Sequence, residues 1–183
     1  MKKFIIIAAI VICGNTVWAA SAQMFKLDNG QTVVIQEVKN NPIVTIDTWI
    51  KTGSIDEDDS NKFIAPNDKE ETNIPDGVAH FLEHLFFKGT KNHESGEFDQ
   101  ILETKGAITN AATSKDFTHY YVTIPSKDFD LAMELHGDMM LHPLIPRNEM
   151  EKERKVVLEE INKDLVSPTR ILQENLNSMM YTT

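Results

Sequence analysis

The stretch Gly77-Val-Ala-His-Phe-Leu-Glu-His-Leu-Phe-Phe87 is where this chain turns from strand to helix, and it reads as a helix over 78–87. Before it lie Phe25-Lys26-Leu27 and Val33-Val34-Ile35, flanking Asp28-Asn29-Gly30. Asn-Gly there is a strong hairpin signal, because both central turn positions then tolerate positive φ. A third strand is expected over 43–50, where β-branched residues cluster with Trp49. After the helix come a second helix over 95–103 and strands near 107–113 and 119–124. Pro125-Ser126 then opens a helix carrying Phe129, Leu131, Leu135 and Met139. Another helix runs over 148–165, and Ser167-Pro168 breaks it before a last amphipathic helix. Strands first and then mostly helices means an α+β chain with helices packed on one sheet face.

Between strands and helix, residues 55–76 carry eight acids against Lys62 and Lys69, with Pro66 and Pro75 as punctuation. This segment reads as a solvated loop. At the start, Lys2 and Lys3 precede the apolar run 4–13, and Ala20-Ser21-Ala22 supplies a small-residue cleavage pattern. That is a signal peptide over 1–22, exporting residues 23–183 to the periplasm or the outside, with no stable membrane anchor after cleavage. The alternative is an uncleaved anchor, but Gly14, Asn15 and Thr16 interrupt the run well short of the roughly 20 apolar residues of a membrane span.

The 183 residues carry a net charge of −10, which becomes −12 when Lys2 and Lys3 leave with the leader. So acidic a chain lacks the basic footprint that nucleic acid requires. The single cysteine, Cys13, lies in the leader, so disulfides, thiolate zinc sites and a cysteine nucleophile are excluded from the remainder.

The chemistry concentrates in His80-Phe-Leu-Glu-His84. Residues four apart share a helix face, so both imidazoles can reach one zinc ion, and Glu83 projects beside them as a base. Two histidines and an acid can also fall together by chance on a surface helix. A catalytic zinc needs a third ligand, and Glu159 and Glu160 are adjacent candidates. At about 100° per residue, Glu159 lies between Lys152 and Lys155. Glu160 instead lies nearly over Glu153, at the margin of the stripe formed by Met150, Val156, Val157 and Ile161. Glu160 is therefore the better ligand, and Glu153 the better carboxylate to orient a ligand or a water.

The segment 77–90, together with Asn110-Ala-Ala-Thr-Ser-Lys-Asp-Phe-Thr-His-Tyr-Tyr121 and Glu153-Arg-Lys-Val-Val-Leu-Glu-Glu-Ile161, closely resembles the pitrilysin family of zinc metallopeptidases, in the family's order. The resemblance implies an α/β roll with an antiparallel-rich mixed sheet. It implies one Zn2+ held by His80, His84 and Glu160, with Glu83 as general base and Glu153 in support. It places Asn110 and Ala111 on an edge strand that pairs with the backbone of a peptide or unfolded polypeptide substrate. It covers only the first of the family's domains, and the acidic segment is longer than the family's loop there. A fragment, or a chain needing a second homologous half or partner subunit to close a chamber, is therefore expected, and weak or absent activity alone. A non-catalytic partner or scaffold, or a structural zinc-binding module, are the competing readings.

Overall fold

The computed structural model describes residues 21–57, 62–64, 71–73 and 77–180. The leader expected over 1–22 lies, up to residue 20, outside the described residues. The chain divides into two compact units on either side of the Asn41–Pro42 bond.

The first unit is the expected hairpin, β1 (Gln23–Lys26) against β2 (Thr32–Ile35), with Phe25 opposite Val33. Its turn differs from the expected one. Within this turn only Gly30 has positive φ (88°), and the Gly30 N–H donates to the Leu27 carbonyl at 2.9 Å. The Asn29 side chain explains why a tighter turn is not used: its Oδ1 accepts from the Gln31 N–H at 3.0 Å, which stabilises a longer connection with one left-handed glycine.

In the second unit, β3 (Ile43–Ile50), β6 (Ile108–Thr113) and β7 (Thr118–Pro125) form a sheet in the order β3-β7-β6. A short hairpin, β4 (Lys62–Ile64) with β5 (Glu71–Asn73), forms separately. All strand pairs among the described residues are antiparallel, so they contain the antiparallel part of the expected mixed sheet. Strand alternation divides the main sheet cleanly. Thr118, Tyr120, Val122 and Ile124 of β7 are buried, and Val44, Ile46 and Ile50 of β3 flank them on the same face. Against that face pack α2 (Glu97–Thr104), through Phe98 and Leu102, and α3 (Phe129–Leu141), through Ala132, Leu135 and Met139. Phe86, at the end of α1 (Val78–Phe86), meets the Tyr120 ring at 5.2 Å. Each such buried side chain contributes about 1.5–3 kcal/mol of transfer free energy. The opposite face leaves Trp49 exposed, stacked on His119 at 4.5 Å.

The helices α4 (Arg147–Leu165) and α5 (Pro168–Met180) complete the unit. Pro168 fits the first position of α5, where its missing N–H would be unbonded anyway. No helix among the described residues is long and apolar enough to cross a membrane.

The acidic segment is not simply a solvated loop. It begins with a 3-10 turn, Ser54–Glu57, which lies against the β6–β7 connection: the Ser54 and Ile55 N–H groups donate to the Ser114 and Lys115 carbonyls at 3.1 and 2.8 Å. Gly53 permits this approach, since a Cβ there would lie 2.4 Å from the Ser114 oxygen. Glu57 is only 5% exposed. Its carboxylate accepts from the Gly77 N–H at 2.8 Å and the Ala79 N–H at 2.5 Å, at the very start of α1. Gly77 has φ 85° and no side chain with which to cap the helix, so Glu57 satisfies the free N–H groups from across the fold and sets negative charge against the positive helix end.

Candidate metal centre

Helix α1 carries His80, Glu83 and His84 on the side that meets α4, and α4 supplies Glu153 and Glu160. The inner face of α4 runs through Met150, Glu153, Val157 and Glu160, whereas Val156 and Ile161 are exposed. Glu153, 8% exposed, therefore stands on the inward stripe itself, whereas Glu160, its side chain 45% exposed, stands at the margin as expected. The physical reason is that Glu153 finds His84 and Lys88 as polar partners on the inner side, so its carboxylate can be buried there.

The Nε2 atoms of His80 and His84 are 3.3 Å apart. Glu160 Oε2 lies 3.7 Å from the first and 3.4 Å from the second. Ligand atoms of these three residues all fall within 4.8 Å of one another. Glu159, the neighbour turned toward solvent, does not join them. On its other side the His84 ring meets Glu153, with Nδ1 2.8 Å from Oε1. An ionised carboxylate only accepts, so His84 carries its proton on Nδ1 and leaves the Nε2 lone pair facing His80 and Glu160. A neutral histidine pair can share one proton at that point, but a divalent cation satisfies two ring nitrogens and a carboxylate oxygen together. The donor set fits zinc.

Glu153 is 8% exposed. Burial pushes its carboxyl up, but hydrogen bonds from Lys88 (Nζ to Oε2, 2.6 Å) and His84 outweigh that and hold it below the usual carboxylate range. Glu83 stands apart from the ligand atoms. Its Oε2 accepts a 2.5 Å hydrogen bond from Thr113 Oγ1 on β6, and Thr118 Oγ1 lies 3.4 Å from that hydroxyl. Beneath it, burial and then the charge of Glu83 push the Tyr120 phenol above its ordinary range.

His80, Glu83, His84, Glu153 and Glu160 line a cleft of about 400 Å³, which also reaches Lys88, Asn110 and Ala111. Strand β6 is an edge of its sheet. The Ala111 side chain faces the helices, Asn110 is exposed, and Asn110 Oδ1 accepts from the Ala111 N–H at 2.9 Å. His119, adjacent in sequence to this region, belongs to the opposite sheet face and pairs with Asp47 at 3.1 Å. His136 is buried in α3, 2.8 Å from Thr48 Oγ1. Three residues escaped the reading of the sequence: Glu57, Lys88 and Thr113. Lys88 alone had a local signal, standing four residues after His84 on the same helical side.

Two imidazoles and a carboxylate converging on one point, with a further carboxylate beside an open cleft, are the arrangement of a metallohydrolase. Comparison with known proteins agrees. The sequence profile of the insulinase family (peptidase family M16) matches residues 68–183. An uncharacterized zinc protease of Bacillus subtilis, YmxG, is 33% identical over 86% of this chain and 35% of its own length. Human mitochondrial cytochrome b-c1 complex subunit 1 is 33% identical over 87% of this chain and 30% of its own. The crystal structure of a protease from Helicobacter pylori superposes with a TM-score of 0.70 at 32% identity, covering 85% of this chain and 34% of that one. The chain belongs to the insulinase (M16) family. It spans about a third of the length of the curated relatives it matches.

Proposed function

We propose that this chain carries the metal-binding and catalytic part of a zinc metalloendopeptidase acting on peptides or unfolded polypeptide segments. The observation that carries the reading is the convergence of His80, His84 and Glu160 within 4.8 Å, with Glu83 left free of the ligand atoms. His80 Nε2, His84 Nε2 and a Glu160 oxygen would hold one Zn2+ per chain. Zinc bound there supplies Lewis acidity, lowering the pKa of a water toward about 7 and polarising a carbonyl. Glu83 accepts the proton of the attacking water and returns it to the leaving amine. Thr113 holds one Glu83 oxygen by hydrogen bonding, so the other is free to face the water. Asn110 and Ala111, on the free edge of β6, would receive the substrate as an added strand; to do so the peptide must replace the Asn110 amide at the Ala111 N–H. A second homologous half or a partner subunit would close the cleft over the substrate.

A second reading, a non-catalytic subunit, draws support from the similarity to cytochrome b-c1 complex subunit 1. Against it stands Glu83, because a scaffold or a structural zinc site needs no uncoordinated carboxylate beside the metal. The test is zinc stoichiometry together with peptide hydrolysis. One zinc per chain is expected in wild type and in Glu159→Gln, with loss or strong weakening in Glu160→Gln. Glu83→Gln should keep the zinc and lose hydrolysis, measured with whatever partner confers activity. Full zinc retention in Glu160→Gln would overturn the ligand set, and unchanged turnover in Glu83→Gln would overturn the base.

A further inference from the structure

Lys88 lies one turn beyond His84, just past the last residue of α1. Its backbone is held there by a 3.0 Å hydrogen bond from its N–H to the Leu85 carbonyl. Its side chain, 22% exposed, reaches across to α4 and places Nζ 2.6 Å from Glu153 Oε2. The other oxygen of the same carboxylate meets His84 Nδ1 at 2.8 Å. Two side chains from one stretch of chain thus grip both oxygens of a single carboxylate. With His84 alone as partner, the Glu153 carboxylate could swing about its terminal torsion, which is broad for Glu. With both oxygens held, its plane is fixed, and so is the imidazole it orients.

We propose that Lys88 is a positioning residue for the metal centre: by clamping Glu153 it fixes the His84 ring so that Nε2 faces His80 and Glu160. The inference rests on the zinc reading above, and it extends the centre to a residue that touches neither metal ligands nor the reacting atoms. A role through charge alone would have the opposite sign. The cleft carries Glu83, Glu153 and Glu160 beside Lys88. Removing the cation leaves it more negative, which would tighten zinc if charge were all that mattered. Removing a clamp loosens zinc instead.

The experiment is a double-mutant cycle on zinc affinity, read by chelator competition on the purified full chain, with circular dichroism to establish folding. Lys88→Met is expected to weaken zinc about tenfold, the scale of lost outer partners of metal-binding histidines. In a Glu153→Gln background the neutral amide can still accept from His84 and has no charge for Lys88 to grip. There Lys88→Met should change affinity by about twofold at most. Unchanged or tighter zinc in Lys88→Met, or an equal loss in both backgrounds, would overturn the proposal. If Lys88→Met alone fails to fold because Glu153 is left buried and unpaired, the comparison of Glu153→Gln with Glu153→Gln/Lys88→Met decides. Zinc weakened in Glu153→Gln relative to wild type, with no further loss in the double variant, supports the clamp; wild-type affinity in Glu153→Gln, or a further tenfold loss in the double variant, overturns it. Wild type that folds without binding zinc would overturn the metal reading and this inference with it. Zinc binding unaffected by Lys88 would overturn this inference alone.

Discussion

Thr113 shows how much a single hydroxyl can contribute beside a charged group. Its Oγ1 donates to the Glu83 carboxylate at 2.5 Å. A hydrogen bond to an ionised group contributes about 1.5–3 kcal/mol, or roughly tenfold and upward in rate if it acts in the transition state. Thr113→Val is therefore expected to lower kcat on a peptide substrate at least tenfold with little change in KM, while zinc content stays at wild type. Thr113→Ser should restore most of the rate. A Val variant with wild-type kcat would remove Thr113 from the account. At this scale the sequence was informative wherever the relation is local. His80, Glu83 and His84 are legible because helix periodicity places them on one side within five residues. Glu160 could be chosen over Glu159 because a 100° rotation separates a lysine-flanked position from one at the margin of the apolar stripe. Thr113 and Lys88 act on partners 30 and 65 residues away, and neither strand alternation nor a helix end specifies which partner arrives.

Among the elements, α1 depends on a residue outside itself. Glu57 accepts from the N–H groups of Gly77 and Ala79, and nothing within α1 caps that end by a side chain. Glu57→Ala should lower stability by about 2 kcal/mol or more, since buried donors left unpaired cost about 1–3 kcal/mol each. Glu57→Gln, which keeps one acceptor oxygen, should lose less. Chemical denaturation measures both, and a Glu57→Ala protein as stable as wild type would sink the capping role. Composition pointed the other way here. Eight acids in 22 residues average to a solvated segment, and nothing in the local pattern of charge marks Glu57 as an acid that turns inward. The strands and helices themselves were legible from periodicity, breakers and β-branched clustering, so β3, β6, β7 and the five helices fall within a few residues of their expected places. The hairpin turn was placed correctly but given two positive-φ residues where the fold uses one.

For the whole molecule, acid sensitivity follows from two groups whose pKa values are both lowered by the fold. Burial lowers the His136 pKa from 6.5, only partly countered by the Asp47 charge. Folded chains thus hold fewer protons at His136 than unfolded ones, and stability contributed by the neutral ring declines as pH falls through about 6.5. Asp138 shifts the same way for another reason: hydrogen bonds, the Thr90 hydroxyl's first, hold its carboxyl below the usual range. Its contribution is fully present above the unfolded carboxylate pKa of 3.8 and is lost as pH falls below that value. Denaturation midpoints should therefore decline in two separated steps, the first near pH 6 and the second below pH 4. His136→Gln should flatten only the upper step, and a wild-type profile flat between pH 7 and 5 would contradict the assignment.

The bond between Glu57 and Gly77 has one more consequence, for how the chain can vary. It brings together two points 20 residues apart in sequence, so the excursion between them leaves and returns at nearly one place. Such a detour is closed at its base, and doubling its length costs only about 0.6 kcal/mol in loop entropy. The helix that carries His80 and His84 is thereby insulated from whatever the acidic excursion becomes. Lineages can lengthen, shorten or redecorate that segment while the geometry at His80 and His84 stays fixed, which makes it the natural graft point for new sequence beside the cleft.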